Sequence, residues 1–313
     1  SRALGVEVLA KNEGTNPSGS FKDRGLAAGI AFGAACGARR FCLPTQGNAG
    51  VAASLFSARL GLPGCLVYMP EGYEDGLYHR EASYFGAEVR FHGSNIAAAG
   101  KKMRDDVADE LASGDYVDIS TFFEPGRLEG KKTMGLEIFQ DLGADHLPDW
   151  ILYPTGGGTG LVGIWKAFQE LVGLGRIEPG KHRLPRMVAV QGENCAPVVE
   201  SFDAGLDEVR PVQSRGTIAD GLDVPGAIMG HGILHTIRES AGTAVAVSEE
   251  NILARFSDCG RIGVTASFES AAVVAALHRL VASGIVSAGD SVLLLLTAGH
   301  FIPLGQRRVP GWE

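Results

Sequence analysis

At 313 residues, with 45% hydrophobic and 20% charged side chains, the chain is long enough for two lobes with a substantial core and has the make-up of a soluble globular protein. Its net charge of -8, with no basic stretch standing out, argues against a nucleic-acid or anionic-membrane partner, and no apolar run approaches the ~20 residues that cross a bilayer. Five scattered cysteines, odd in number and without metal-ligand spacing, are expected reduced in the interior of a cytoplasmic protein, so no metal site, catalytic thiol or secretory signal is read.

In chain order, residues 6–10 read as a strand leading into Asn12-Glu13-Gly14-Thr15-Asn16-Pro17-Ser18-Gly19-Ser20-Phe21-Lys22-Asp23-Arg24-Gly25. There turn dipeptides run into an Ala-rich helix that continues to about residue 37, with Ser18 or Ser20 as N-cap. Strands follow at 41–44, 65–69 and 88–91, and helices at 51–60, 78–85 and 96–113, the last carrying charges on one face. A strand at 117–120 leads into a loop at 121–130 and a helix at 131–142. The second half repeats the alternation: strand 150–153, helix 161–173, strand 187–191, helix 196–204, and a polar, Gly-rich connection at 205–232. A strand at 243–247, a helix capped by Ser248, an Ala-rich helix at 267–283 and a buried strand at 291–296 complete the pattern. Strand alternating with helix argues for an α/β fold of parallel sheets flanked by helices.

Three stretches carry the chemistry. Lys22 enters its helix near the positive end of the dipole and beside Arg24. Such surroundings disfavour an ammonium, and a neutral amine can form a Schiff base with an aldehyde; the alternative is a solvated helix face. Tyr153-Pro154-Thr155-Gly156-Gly157-Gly158-Thr159-Gly160 lies between a strand and a helix, where glycines let the backbone approach an anion and the helix presents free N–H groups. Residues 158–163 also satisfy G-x-G-x-x-G, so a structural glycine turn, a dinucleotide site and a cofactor-phosphate site all stand on local grounds, although the next strand ends in Gln191 where a ribose would want an acid. Pro44-Thr45-Gln46-Gly47-Asn48-Ala49-Gly50 repeats the strand, turn and helix arrangement, with Asn48 as either a ligand or a turn residue.

Residues 16–25 resemble the pyridoxal-phosphate lysine segment of the threonine synthase and serine/threonine dehydratase superfamily, the fold-type II enzymes, and the chain's nearest resemblance is to threonine synthases. Residues 44–50, 124–133, 153–163 and 295–300 match further family segments in the same order, so the resemblance spans almost the whole chain. It implies a tryptophan synthase beta-like fold of two lobes, residues 35–125 and residues 1–34 with 126–313, holding pyridoxal 5'-phosphate in the cleft between them. It implies that Lys22 forms the internal aldimine, that Gly156, Gly157, Gly158, Thr159 and Gly160 bind the cofactor phosphate, that Asn48 reaches the pyridoxal 3'-oxygen, and that Thr297 meets the pyridine nitrogen. A neutral hydroxyl at that nitrogen moderates the electron sink and favours elimination or replacement over transamination; without the resemblance, Thr297 equally well caps its own turn.

By the same resemblance Thr45, Gln46, Gly47 and Ala49 grip the substrate carboxylate, and Arg127, within Glu124-Pro125-Gly126-Arg127-Leu128-Glu129-Gly130-Lys131-Lys132-Thr133, binds the substrate phosphate through its planar fork. The residues alone also allow Arg127 to lie on a solvated loop. Two stretches depart from the threonine synthase pattern: glycine and threonine stand at 156–160 where asparagines are frequent, and His300-Phe301-Ile302-Pro303 replaces a glycine-leucine-lysine continuation. The family's longer leading segment implies that Ser1 follows a cleavage, a truncation or a natural shortening. The reading is an enzyme of a small-molecule amino-acid substrate, a homodimer, converting O-phosphohomoserine and water to threonine and phosphate. The alternatives are a serine/threonine ammonia-lyase or β-replacing synthase, a nonenzymatic small-molecule binder, and an NAD-dependent dehydrogenase.

Overall fold

A computed structural model describes residues 4–121 and 123–306. The chain divides into two compact units, one formed by residues up to Gly14 with Lys131–His300, the other by Thr15–Gly130 with the segment from Phe301 onward.

The first unit is built on five strands, β1 (Glu7–Asn12), β6 (Trp150–Pro154), β7 (Arg186–Gly192), β8 (Thr243–Val247) and β9 (Ser291–Leu296). They form one parallel sheet of order β1-β9-β6-β7-β8. β6 and β7 are buried almost throughout and β9 beyond its first residue, as strands covered on both faces by helices must be. Covering helices include α7 (Thr159–Gly173), α8 (Pro197–Asp203), α9 (Gly230–Glu239), α10 (Glu249–Arg261) and α11 (Phe268–Ala282). In α11, buried Ala271, Ala272, Ala275 and Ala276 let the helix axis approach the sheet closely. α9 lies partly in the stretch expected to be an irregular connection. Ile233, Leu234 and Ile237 form its fully buried stripe, while Gly230 packs so near Val209 that a Cβ would lie 2.8 Å from the valine's own. That glycine serves close packing, not a loop.

The second unit carries the strands β2 (Arg40–Pro44), β3 (Leu66–Met69), β4 (Glu88–Phe91) and β5 (Tyr116–Asp118), which form a parallel sheet of order β4-β3-β2-β5. Its helices include α1 (Lys22–Ala35), α2 (Asn48–Arg59), α3 (Leu77–Tyr84), α4 (Ile96–Asp106), α5 (Ala108–Ser113) and, near the end of the chain, α12 (Phe301–Gln306). The expected single helix over 96–113 is interrupted at Val107, whose φ of -122° leaves the helical region. α1 packs on α2, which is why Lys22 groups with this unit and not with the longer one to which residues 1–34 were expected to belong.

The largest departure from the expected elements is α6 (Gly126–Leu142), which starts five residues before the expected helix at 131 and takes Arg127 out of the expected loop. Pro125 and Glu124 start it: the Pro125 carbonyl accepts from Leu128 and Glu129, and the Glu124 carboxylate accepts from Gly126 N and Arg127 N. No described helix is long and apolar enough to cross a membrane. Four cysteines are buried as expected, whereas Cys36, at the frayed end of α1, is exposed.

Candidate active site

In the second unit the Lys22 loop is closed by a residue not singled out from the sequence. Asp23 is buried, and its carboxylate accepts from the Ser18 backbone N–H at 2.8 Å and from the Ser18 hydroxyl. The Ser20 hydroxyl accepts from Lys22 N at 3.3 Å, so both serines brace the entry to α1, although neither is the boundary residue itself. Lys22, the first residue of α1, is half-buried, with Nζ 4.6 Å from the centre of the Phe21 ring.

β2 ends at Pro44 and delivers the Thr45 turn. Thr45 is buried, donates its N–H to Tyr68 O at 2.8 Å and accepts from Gly47 N at 3.0 Å through Oγ1, which fixes the loop in front of α2. Gly47 packs against Tyr78, whose ring would lie 2.7 Å from a Cβ there. Asn48 opens α2, and its Oδ1 is buried without a hydrogen-bond partner. Such an orphan amide oxygen is costly unless a bound group satisfies it.

Arg127 belongs to the same unit. The residue is 4% exposed, its Nη1 donates to Ile119 O at 2.9 Å just past β5, and its buried Nε has no hydrogen-bond partner. Because β5 pairs with β2, the carbonyl that holds Arg127 and the Thr45 turn lie at the same end of neighbouring strands. Burial lowers the Arg127 pKa from 12.5 to about 10, against smaller upward pulls from Glu124 and Asp118, so the group is a cation at neutral pH. The helices of Lys22 and Arg127 cross at their glycines: a Cβ on Gly126 would lie 2.5 Å from Gly29 Cα, and one on Gly130 2.0 Å from Arg24 O. The approach is possible only with hydrogen at both positions.

In the first unit, β6 ends in the glycine loop and its neighbour β9 ends at Thr297, which is buried, so both reach the carboxyl edge of one parallel sheet. The loop is tightly moulded. Gly158 has a left-handed φ of +85° and a Cβ there would lie 2.3 Å from Ile233; one on Gly160 would lie 1.8 Å from Tyr153 Oη, and one on Gly156 2.3 Å from Gly221 O. Gly157 is different: nothing lies within 4 Å of its Cβ position. Tyr153 is a neutral phenol, since burial first and the Glu13 carboxylate second push its pKa far up. Behind the loop, buried Lys131 donates from Nζ to Thr159 Oγ1. Nothing in the sequence singles out Lys131, because a loop gives its spacing from Arg127 no meaning, whereas on α6 the two are four residues apart. Of the divergent stretch after Thr297, His300 and Phe301 are described and the side chains of Ile302 and Pro303 lie outside the described residues.

A family model described as pyridoxal-phosphate dependent enzyme matches residues 1–298. The chain belongs to that family. It is 31% identical over 303 residues to a threonine synthase of Methanosarcina acetivorans, covering 96% of this chain and 71% of the relative. A threonine synthase of Methanocaldococcus jannaschii is 30% identical over the same shares of the two chains. Among solved structures, a threonine deaminase of T.th. matches with a TM-score of 0.77 and 25% identity over 95% of this chain and 89% of the other. The protein is thus a pyridoxal-phosphate dependent enzyme of the fold-type II architecture.

The residues present fit that cofactor. A loop with no room for a side chain at Gly156, Gly158 or Gly160 and open space at Gly157, in front of a helix amino terminus, suits a phosphate. In the same unit the buried Thr297 offers a hydroxyl, and in the second unit, taken by itself, Asn48 Oδ1 is a buried acceptor without a partner, each a polar group of the kind a substituted pyridine needs.

Proposed function

We propose that the enzyme acts as a threonine synthase, converting O-phosphohomoserine and water to threonine and inorganic phosphate. The observation that carries this reading is Arg127: a guanidinium kept in the interior, anchored through one nitrogen and with Nε uncommitted, suits a guest that brings its own anionic oxygens. The threonine synthases that match this chain over nearly its whole length support it.

Bound pyridoxal phosphate supplies an electron sink that acidifies the Cα and Cβ protons of an amino acid. Lys22 would carry the cofactor, and its Nζ would be the base that removes the proton at Cα and moves protons at Cβ. Residues 156–160 would hold the cofactor phosphate, Asn48 the ring oxygen and Thr297 the ring nitrogen. Thr45, Gln46, Gly47 and Ala49 orient the substrate carboxylate. Arg127 holds the γ-phosphate until its C–O bond breaks and water adds at Cβ.

A second reading, elimination of water and ammonia from serine or threonine, is favoured by the glycine and threonine composition of the 156–160 loop and by the similarity to a threonine deaminase. Arg127→Ala separates the two. In a synthase it costs ~2–4 kcal/mol in kcat/KM for O-phosphohomoserine and barely changes turnover of unphosphorylated serine or threonine. Equal losses on both substrate types overturn the assignment of Arg127 to the phosphate. Lys22 is tested by borohydride reduction of the loaded enzyme: the cofactor becomes fixed to the peptide containing Lys22, and recovery on another lysine overturns that role.

A further inference from the structure

Gln191, fully buried at the carboxyl end of β7, has no role in the reading so far, yet its amide joins the glycine loop to α8. Nε2 donates to Thr155 O at 3.1 Å, and Oε1 accepts from Val198 N at 2.9 Å and Val199 N at 3.3 Å in the first turn of α8. The reversed amide would set its NH2 group against two N–H groups and its oxygen against a carbonyl, so only this orientation satisfies all three contacts. Thr155 is held on its other sides as well: it is buried, its N–H donates to Val190 O at 2.8 Å and its Oγ1 to Tyr153 O at 2.9 Å. A peptide unit is planar and trans, so a Thr155 carbonyl that faces Gln191 sends the Gly156 N–H, the first of the loop, to the opposite side. The helix cap does not explain why the residue is an amide. A glutamate would cap α8 at least as well, since the positive end of a helix favours a carboxylate, but it would turn an oxygen toward Thr155 O and place a negative charge beside residues 156–160.

We propose that Gln191 is the positioning residue of the cofactor-phosphate loop: it fixes the peptide between Thr155 and Gly156 so that the Gly156 N–H faces the anion, and it does so without bringing a charge. The proposal rests on the reading of residues 156–160 as the phosphate loop and deepens it, since a backbone donor binds an anion well only when its direction is set beforehand. The strand end at which the ribose of a dinucleotide would want an acid thus carries a side chain that suits a phosphate instead.

The test titrates the full chain with pyridoxal phosphate and with pyridoxal, following cofactor absorbance, in the native protein and in Gln191→Glu. The expected result at about pH 8 is a loss of about 10- to 100-fold in affinity for pyridoxal phosphate, the effect of one contact to a charged group, with affinity for pyridoxal changed by less than about 3-fold. Relative to the native protein the loss should shrink as pH falls to about 6, because burial raises the pKa of the introduced carboxyl and its protonated form donates to Thr155 O again. A residue that only caps α8 gives no such recovery. Gln191→Met, neutral and close in size, is measured alongside: it should lower the urea midpoint by releasing α8 and still cost pyridoxal phosphate at least about 5-fold more affinity than pyridoxal, so the result stands even if the charged variant does not fold. Equal losses for both ligands, or a Gln191→Glu loss that does not shrink on acidification, overturn the proposal and leave Gln191 as a structural residue. Gly157→Asp separates this from the loop reading itself, because that position has space for a side chain: it should weaken retention of pyridoxal phosphate severely. If it does not, the loop reading fails; if it does while the Gln191 variants keep full selectivity, only the role of Gln191 fails.

Discussion

Glu124 caps the helix that carries Arg127: its Oε1 accepts the Arg127 N–H at 2.9 Å and its Oε2 the Gly126 N–H at 2.5 Å. The contact satisfies two of the donors that a helix start leaves open and places a negative charge at the positive end of α6. Glu124 also faces Gly29 of α1, where a Cβ would lie 2.9 Å from Oε1, so the cap is wedged between the helices of Lys22 and Arg127.

Removing the cap should therefore loosen α6 before it touches chemistry. Glu124→Ala is expected to lower stability by ~1–2 kcal/mol in urea unfolding, the usual cost of a lost N-terminal cap. It should also raise KM for the phosphorylated substrate, because Arg127 N is one of the two groups released. An unchanged unfolding midpoint would mean that α6 holds its start through Pro125 alone.

The charge of Arg127 predicts a pH window. Burial brings its pKa down to about 10, and a bound anion favours the cation, so binding is supported while the guanidinium is protonated and lost as it deprotonates. Competitive inhibition by inorganic phosphate should stay constant between about pH 8 and 9, where phosphate itself no longer titrates, and weaken as pH rises through about 10. A constant inhibition through about pH 10 and above would place the phosphate on another group.

The cysteines give a chemical check on the packing. Burial pushes the Cys65 thiol up to about 12 and Cys195 to about 11, raises Cys42 further, and also raises Cys259, whereas Cys36 is exposed. Only the thiolate reacts with disulfide reagents, so one thiol of the native protein should label quickly and four only after unfolding. Rapid labelling of two or more would contradict the buried placement.

What the sequence disclosed, and what it hid, follows from the range of the signals. The strand, glycine turn and helix at β6 and α7, the parallel alternation and the entry of Lys22 into α1 are set by neighbours in the chain, and all were legible. Arg127 was found as a residue but placed on a loop, because Gly126 and Gly130 look like helix breakers until Gly29 and Arg24 O are seen packed against them. Lys131 and Asp23 were missed for a related reason: their partners, Thr159 and Ser18, are set by a helix start or a turn that no periodicity announces. The start of α9 was lost to Gly230 and Gly232, the first of which makes room for Val209.

Whether the enzyme works on a phosphorylated amino acid is decided by following both products of one reaction. The full chain loaded with pyridoxal phosphate is mixed with O-phosphohomoserine, and threonine and inorganic phosphate are quantified together by proton and phosphorus NMR. For a threonine synthase the two should appear in equal amounts and at equal rates. Absence of phosphate release, together with ammonia and a 2-oxo acid from serine or threonine under the same conditions, would contradict it.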